Sequence, residues 1–118
     1  MKVRGIDFTT YACSNLQRSM AFYTDMIGLK LDSVYQDFYA EFDVDGQTFA
    51  LISGIPGLKP GTGGQVGFNV PNLAEALAEL KGKGVEPIGE VVETPVCRMA
   101  HFADPDGNVF VLHEKPRI

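Results

Sequence analysis

The chain of 118 residues has 45% apolar and 21% charged residues, a composition typical of one globular domain that buries its own core. Its formal net charge is -5, and its Lys and Arg residues are scattered singly, so it lacks the basic stripe of a nucleic-acid-binding protein. No apolar run approaches the ~20 residues of a membrane span, and the opening MKVRGIDF does not resemble a signal peptide, so we expect a cytoplasmic protein with no membrane partner.

The first half of the chain predicts a strand, a helix and three more strands. The run from Ile6 to Cys13 predicts the first strand. The helix that follows has Ser14 and Gln17 as a capping box and Gly28 as its stop signal. Apolar residues spaced four and three apart form one face of this helix: Leu16, Met20 and Tyr23. Turn residues then separate three strand-like runs, at about residues 30–36, 38–42 and 47–53.

The second half repeats this order after a Gly- and Pro-rich linker at residues 54–64. A predicted strand at 65–70 leads into a helix that begins with the capping box of Asn72 and Glu75 and ends at Gly84. The apolar face of this helix matches the first at an offset of 57 residues: Leu73, Leu77 and Leu80. Three strands follow, at about residues 86–92, 97–103 and 108–114.

Two turn segments are also repeated, DVDGQTFALI from Asp43 and DPDGNVFVLH from Asp104. Each half is therefore a βαβββ unit, with unit 1 at residues 1–53 and unit 2 at residues 65–118. The predicted fold class is α+β, in which the two units form a single domain over residues 1–118. We expect a curved mixed sheet that encloses a cavity, with the helices on the outside and the binding site between the units. Cys13 and Cys97 are too few for a disulfide framework, and we expect both to be buried thiols.

This organisation resembles the vicinal oxygen chelate superfamily, which includes glyoxalase I, extradiol dioxygenases, fosfomycin-resistance enzymes and bleomycin-resistance proteins. The resemblance covers essentially the whole chain. It rests on IDFTTYACSNLQRSMAFYTDMIGLKL, on GQVGFNVPNLAEALAELKGKGV and on the closing FADPDGNVFVLHE.

The resemblance implies where a metal would be held. In metal-dependent members of the superfamily, His, Gln or Glu ligands come from the first and last strand of each unit. The matching positions here are Phe8, Ala50, Gln65 and Val111. Three of these side chains are hydrocarbon and provide no donor atom for a divalent ion. We therefore predict no metal, no cofactor and no catalytic residue, as in the metal-free bleomycin-resistance branch.

The DPDG turn predicts the register of the last hairpin. Pro at the second position and Gly at a positive φ are typical of a type I turn followed by a Gly bulge, which pairs Asp104 with Asn108. One face of the hairpin then carries two cross-strand pairs: His101 opposite Val111, and Met99 opposite His113.

The same rule, applied to the first hairpin, pairs Asp43 with Gln47. It directs Glu41 toward the helix and Phe42 toward the cavity. The cavity lining predicted in this way is mostly apolar and consists of Phe8, Thr10, Phe38, Phe42, Ala50, Ile52, Gln65, Met99, His101, Val111 and His113. Aromatic side chains fill small cores as readily as they line ligand sites, so an open pocket and a filled core both fit this lining.

The sequence favours a metal-independent protein that binds or sequesters a hydrophobic small molecule, with cationic, antibiotic-like compounds among the candidates. One alternative is a glyoxalase-like lyase or isomerase, or a dioxygenase-related enzyme, that uses His101 and His113 as a base or as unusual metal ligands. A second alternative is a structural domain with a collapsed cavity. Chains of this length in the superfamily often dimerise, and we expect a homodimer that has no nucleic-acid partner.

Overall fold

The computed structural model describes residues 1–115 and divides into two compact units, Met1–Gly63 and Gly64–Ile118. The last three residues of the predicted second unit lie outside the described part of the chain. Each unit has the order strand, helix, strand, strand, strand, which confirms the predicted α+β class with tandem βαβββ units. No helix within residues 1–115 is long and apolar enough to cross a membrane.

Unit 1 contains a four-stranded mixed sheet in the order β1-β4-β3-β2. Strand β1 runs parallel to β4, and the other neighbours are antiparallel. Helix α1 contacts β3 and β4 and continues into a π-helical turn at Phe22–Met26. The elements are β1 (Thr9–Cys13), α1 (Leu16–Ala21), β2 (Lys30–Tyr35), β3 (Tyr39–Val44) and β4 (Gln47–Ser53).

Unit 2 repeats this topology with the strand order β5-β8-β7-β6. Strand β5 runs parallel to β8, and α2 contacts β7 and β8. The elements are β5 (Val66–Asn69), α2 (Leu73–Gly82), β6 (Ile88–Glu93), β7 (Arg98–Ala103) and β8 (Val109–Glu114).

Asparagine residues at equivalent positions begin the two helices. Oδ1 of Asn72 accepts a hydrogen bond from the backbone N–H of Glu75 at 3.0 Å, as the capping pattern predicts. In unit 1 the cap is Asn15, whose Oδ1 accepts from the N–H of Arg18 at 3.0 Å. The prediction of a cap at Ser14 is therefore wrong by one residue. Asn15 has the extended backbone that an N-cap requires, while the Ser14 hydroxyl accepts a hydrogen bond from the Arg18 guanidinium instead.

Aromatic rings form the core of unit 1. Tyr23 is fully buried in the π-helical turn, with its ring centroid 5.0 Å from Phe49 and 6.1 Å from Phe42. Tyr11 of β1 packs edge-on against Phe49 at 5.5 Å. In unit 2, Phe102 and Phe110 stack at 5.6 Å. Cys13 is buried as expected, whereas Cys97 is only half-buried, because it lies in the turn between β6 and β7.

The second hairpin has the predicted turn. The N–H of Asp104 donates to the carbonyl of Asn108 at 2.9 Å, and Gly107 has a φ of 84°. Pro105 occupies the second position, where its fixed φ suits a type I turn. The Asp104 carboxylate also accepts hydrogen bonds from the backbone N–H groups of Asp106 and Asn108, each at 2.9 Å. The register inferred from this turn is confirmed.

The first hairpin has a shorter turn than predicted. Val44 pairs with Gln47, so Asp45 and Gly46 alone form the loop, with φ values of 50° and 88°. Two positive φ angles identify a type I′ turn, the conformation that Asp-Gly favours in two-residue hairpins. The predicted pairing of Asp43 with Gln47 is therefore wrong by one residue. No proline stands at position 44 in this copy, so Val44 is able to extend the ladder of paired residues.

Candidate ligand-binding site

We call the sheet face that points away from the helix of the same unit the far face. In unit 2, one hydrogen bond distinguishes the two faces: Oε1 of Glu114 accepts from the N–H of Leu73 at the start of α2, at 2.7 Å. Glu114 therefore lies on the helix side, and the alternation of β8 places its neighbour His113 on the far face, as predicted.

The far face of unit 2 carries the two predicted cross-strand pairs. His101 lies opposite Val111, and Met99 lies opposite His113. Strand β5 adds Gly67 beside Val111 and Asn69 beside His113. The side chains of Met99, His101 and His113 are half-buried, and Val111 is 7% exposed. The structure thus brings all four predicted site residues of β7 and β8 onto one surface.

The far face of unit 1 differs from the prediction because of the short turn. Ala50 pairs with Glu41, and Ile52 pairs with Tyr39, so Tyr39 and Glu41 replace Phe38 and Phe42 in this surface. Strand β1 contributes Thr10 beside Ala50. Ala50 is fully buried, and Ile52, Tyr39 and Glu41 are half-buried.

Two predicted site residues lie elsewhere in unit 1. Phe42 is fully buried on the helix side, between Tyr23 and Phe49, so its predicted place in the cavity is wrong. A one-residue change of register transfers every side chain of a strand to the other face. Phe38 precedes β3 rather than belonging to it, and its ring lies 5.7 Å from that of Tyr35.

The remaining predicted residues lie just before the first strand of each unit. Phe8 is 51% exposed and immediately precedes β1, which begins three residues later than the predicted Ile6. Gln65 is exposed and immediately precedes β5. Phe8 borders a cleft of about 260 Å³ within unit 1, at the start of β1 and at the β3–β4 turn. Drug-sized ligands occupy pockets of roughly 300–1,000 Å³, so this cleft alone suits only a small group.

The far face of unit 1 also carries a polar cluster that the sequence did not lead us to expect. The hydroxyl of Tyr39 donates to Oε2 of Glu41 at 2.7 Å, and the hydroxyl of Ser33 lies 3.4 Å from Oε1. Burial, followed by the hydrogen bond to Glu41 and the charge of Glu41, raises the pKa of Tyr39 to about 12. The alternation of polar and apolar residues in Tyr39-Ala-Glu-Phe-Asp43 is the sequence signal that would have revealed this cluster.

The four positions that the resemblance matches to metal ligands carry too few donor atoms to fit a divalent ion. Phe8, Ala50 and Val111 have hydrocarbon side chains, and Gln65 offers a single neutral amide. Among residues 1–115, no three His, Cys, Asp or Glu side chains are grouped so that they could hold a metal ion. Glu41 and His101 occupy equivalent places in their sheets, opposite Ala50 and Val111 respectively.

Comparison with known proteins identifies one family. The model described as Glyoxalase/Bleomycin resistance protein/Dioxygenase superfamily matches residues 5–112. No curated protein matches the chain.

Several solved structures share the fold. TnmS3, an antibiotic binding protein from Streptomyces sp. CB03234, is 23% identical with a TM-score of 0.82, over 98% of this chain and 99% of that one. The fosfomycin resistance protein FosX from Listeria monocytogenes is 20% identical with a TM-score of 0.78, over 98% and 96% of the chains. A lactoylglutathione lyase from Agrobacterium tumefaciens is 18% identical with a TM-score of 0.78, over 96% and 95%. At these identities the likeness concerns the fold alone.

Proposed function

The chain belongs to the glyoxalase/bleomycin resistance protein/dioxygenase superfamily, and on this premise we propose that it binds or sequesters a hydrophobic small molecule without using a metal. One observation carries the proposal: the fold is intact, while three of the four positions that hold a metal in other members have hydrocarbon side chains, namely Phe8, Ala50 and Val111.

The far faces have the character of a ligand surface. Ile52 in unit 1 and Met99 in unit 2 are apolar and half-buried, so part of each side chain is accessible to a ligand. Small-molecule sites are largely apolar, with a few polar groups that orient the ligand. The same fold occurs in a structure described as an antibiotic binding protein, which supports a binding role for this chain.

A thermal-shift screen tests the proposal. We expect some hydrophobic compounds to stabilise the protein, by ~2.7 kcal/mol at a ligand concentration of 100 times Kd and further with the logarithm of concentration, and we expect a chelator to leave this effect unchanged. Stoichiometric metal in the purified protein, together with turnover of a hemithioacetal, would contradict the proposal.

A matched pair of variants locates the binding surface. Ile52→Ala removes an apolar side chain from the far face of unit 1, and we expect about a tenfold loss of affinity, since burying such a side chain contributes roughly 1.5–3 kcal/mol. Ile55→Ala makes the same chemical change in the loop after β4, where the residue is 39% exposed, and should leave affinity within twofold. If the two variants lost the same affinity, the far face of unit 1 would not be part of the binding site.

An enzymatic role is the second candidate, because His101 and His113 share the far face of unit 2. Imidazole is suited to proton transfer near neutral pH. If the protein binds without catalysis, Phe8→Ala should change ligand affinity more than His113→Ala changes any rate. The reverse ranking would favour a lyase or isomerase.

We also propose that the protein forms a homodimer. Sedimentation velocity at several concentrations should give a mass of two chains, and a single-chain mass throughout would reject this part of the proposal.

A further inference from the structure

Within residues 1–115, a carboxylate on the far face of unit 1 has no internal counter-charge. In the described part of the chain, the hydrogen bonds that Glu41 receives come from two hydroxyl groups, Tyr39 at 2.7 Å and Ser33 at 3.4 Å. Within residues 1–115 it forms no ion pair with a lysine, arginine or histidine. Its negative charge is therefore not neutralised by these residues, and it lies on the same half-exposed surface as Ile52.

We propose that Glu41 selects ligands in which a positively charged nitrogen is attached to an apolar body, an inference that rests on the binding function proposed above. A carboxylate accepts about four hydrogen bonds, and the two hydroxyl groups leave the remaining lone pairs for a ligand. Hydrogen bonds between an ammonium or guanidinium group and a carboxylate are roughly twice as strong as those between neutral groups.

The same residue disfavours neutral ligands. A neutral apolar compound that covered Glu41 would remove water from its charge without replacing the lost hydrogen bonds, which is strongly unfavourable. A cationic compound would replace them. Tyr35, which pairs with Tyr39 on the same face and is 61% exposed, adds an aromatic ring, and such rings attract cations.

The fold does not require this arrangement. The bond from Tyr39 to Glu41 joins two side chains of the same strand, and the link from Glu41 to the neighbouring strand β2 is the longer contact with Ser33 at 3.4 Å. In unit 2, Met99 and His101 of β7 are the residues equivalent to Tyr39 and Glu41. The sheet of unit 2 therefore forms without a carboxylate at this position. The same strand pairing therefore forms in unit 2 without the Tyr39–Glu41 pair.

The Tyr39 hydroxyl keeps the carboxylate oriented. A tyrosine is protonated at neutral pH and can donate this hydrogen bond, and the rise of the Tyr39 pKa to about 12, chiefly by burial and then by Glu41, extends that state to alkaline pH. Tyr39 is a positioning residue, because its hydroxyl fixes Oε2 of Glu41. The other carboxylate oxygen, Oε1, faces Ser33 and solvent.

Calorimetry with matched probes tests this inference. The probes are amine and alcohol pairs on three aromatic bodies: benzyl, naphthylmethyl and anthracenylmethyl. Each pair differs in charge at neutral pH and little in shape. We expect the native protein to bind at least one amine about tenfold more tightly than its alcohol, a difference of ~1.4 kcal/mol. Glu41→Gln should abolish this preference, with affinity for the alcohol equal to or higher than that of the native protein.

Two further variants complete the test. Glu86→Gln removes the same charge from an exposed position and should keep the tenfold preference. Tyr39→Phe should reduce the preference without abolishing it, because Glu41 is retained but less firmly held. Thermal unfolding of each variant establishes that it is folded.

The outcomes separate this inference from the proposed function. Equal binding of amine and alcohol by the native protein, or a preference that survives Glu41→Gln, overturns the role of Glu41 and leaves hydrophobic binding intact. Failure of every probe and every compound in the thermal-shift screen overturns both.

Discussion

Truncation of Phe42 should cost the protein far more stability than the same truncation at Phe8. Phe42 is 0% exposed, with its ring centroid 6.1 Å from Tyr23 and 5.9 Å from Phe49. Removal of the ring exposes roughly 150 Å² of apolar surface or an equivalent cavity, and at ~25 cal/mol per Å² this amounts to about 4 kcal/mol. Such a value lies within the range of about 3–5 kcal/mol for buried Phe→Ala substitutions.

Urea denaturation followed by circular dichroism measures the effect. A loss of about 4 kcal/mol is a large part of the ~5–15 kcal/mol that stabilises a typical domain, so Phe42→Leu is a useful second variant, with an expected loss of roughly 1–2 kcal/mol. Phe8→Ala is the matched control, because Phe8 is 51% exposed, and we expect it to lose about 1 kcal/mol or less.

The relative stability losses of Phe42→Ala and Phe8→Ala show whether Phe42 belongs to the core. If Phe42→Ala lost less than about 1.5 kcal/mol, or no more than Phe8→Ala, Phe42 would not belong to the core, and the longer first turn would be correct after all. A loss of ligand affinity at unchanged stability would point to the same conclusion.

Four further outcomes follow from the structure. Glu114→Ala leaves the first N–H of α2 without its acceptor, so urea denaturation should show a loss of about 1–3 kcal/mol, and an unchanged midpoint would refute the cap. Glu41→Gln should lower the raised pKa of Tyr39 in an ultraviolet absorbance titration. Because the folded protein holds the Tyr39 proton more tightly, native stability should fall as pH rises from about 10 to about 12. Gly46→Ala, at a φ of 88°, should lose about 1 kcal/mol, whereas Gly64→Ala, which has no positive φ and open space around its Cβ, should be neutral.

The repeat made most of the fold predictable. Equivalent helix faces and the two turn segments identified both βαβββ units, and Pro105 fixed the register of the last hairpin. Proline restricts φ so strongly that one residue was enough to choose the turn. The placement of Met99, His101, Val111 and His113 on one face followed directly.

The first hairpin was less determined by its sequence. An Asp-Gly pair supports either a two-residue loop or a longer loop, and without a proline the local residues do not decide between them. The decision comes from the alternation along the strand, because Ala40 and Phe42 both need burial while Tyr39 and Glu41 carry polar groups. Glu41 on the helix side was the one conflict in the predicted register, and the structure resolves it in favour of the polar alternation.

The π-helical turn at Phe22–Met26 has no comparable signal. Its apolar residues fit an ordinary helix, and the wider turn places Tyr23 between Phe42 and Phe49 only once the sheet is present. Such a feature depends on tertiary packing more than on local preference.

The tight turn at Asp45 and Gly46 also limits which insertions and deletions the protein can tolerate. Surface loops generally tolerate added or lost residues, since their length has little effect on stability. Here the number of residues in the loop decides which face of β3 packs against the core. Insertion or deletion of a single residue would therefore move all six side chains of β3 to the opposite face of the sheet. The fold should tolerate point substitutions in this turn, whereas a change in the length of the turn would place Glu41 in the interior in place of Phe42.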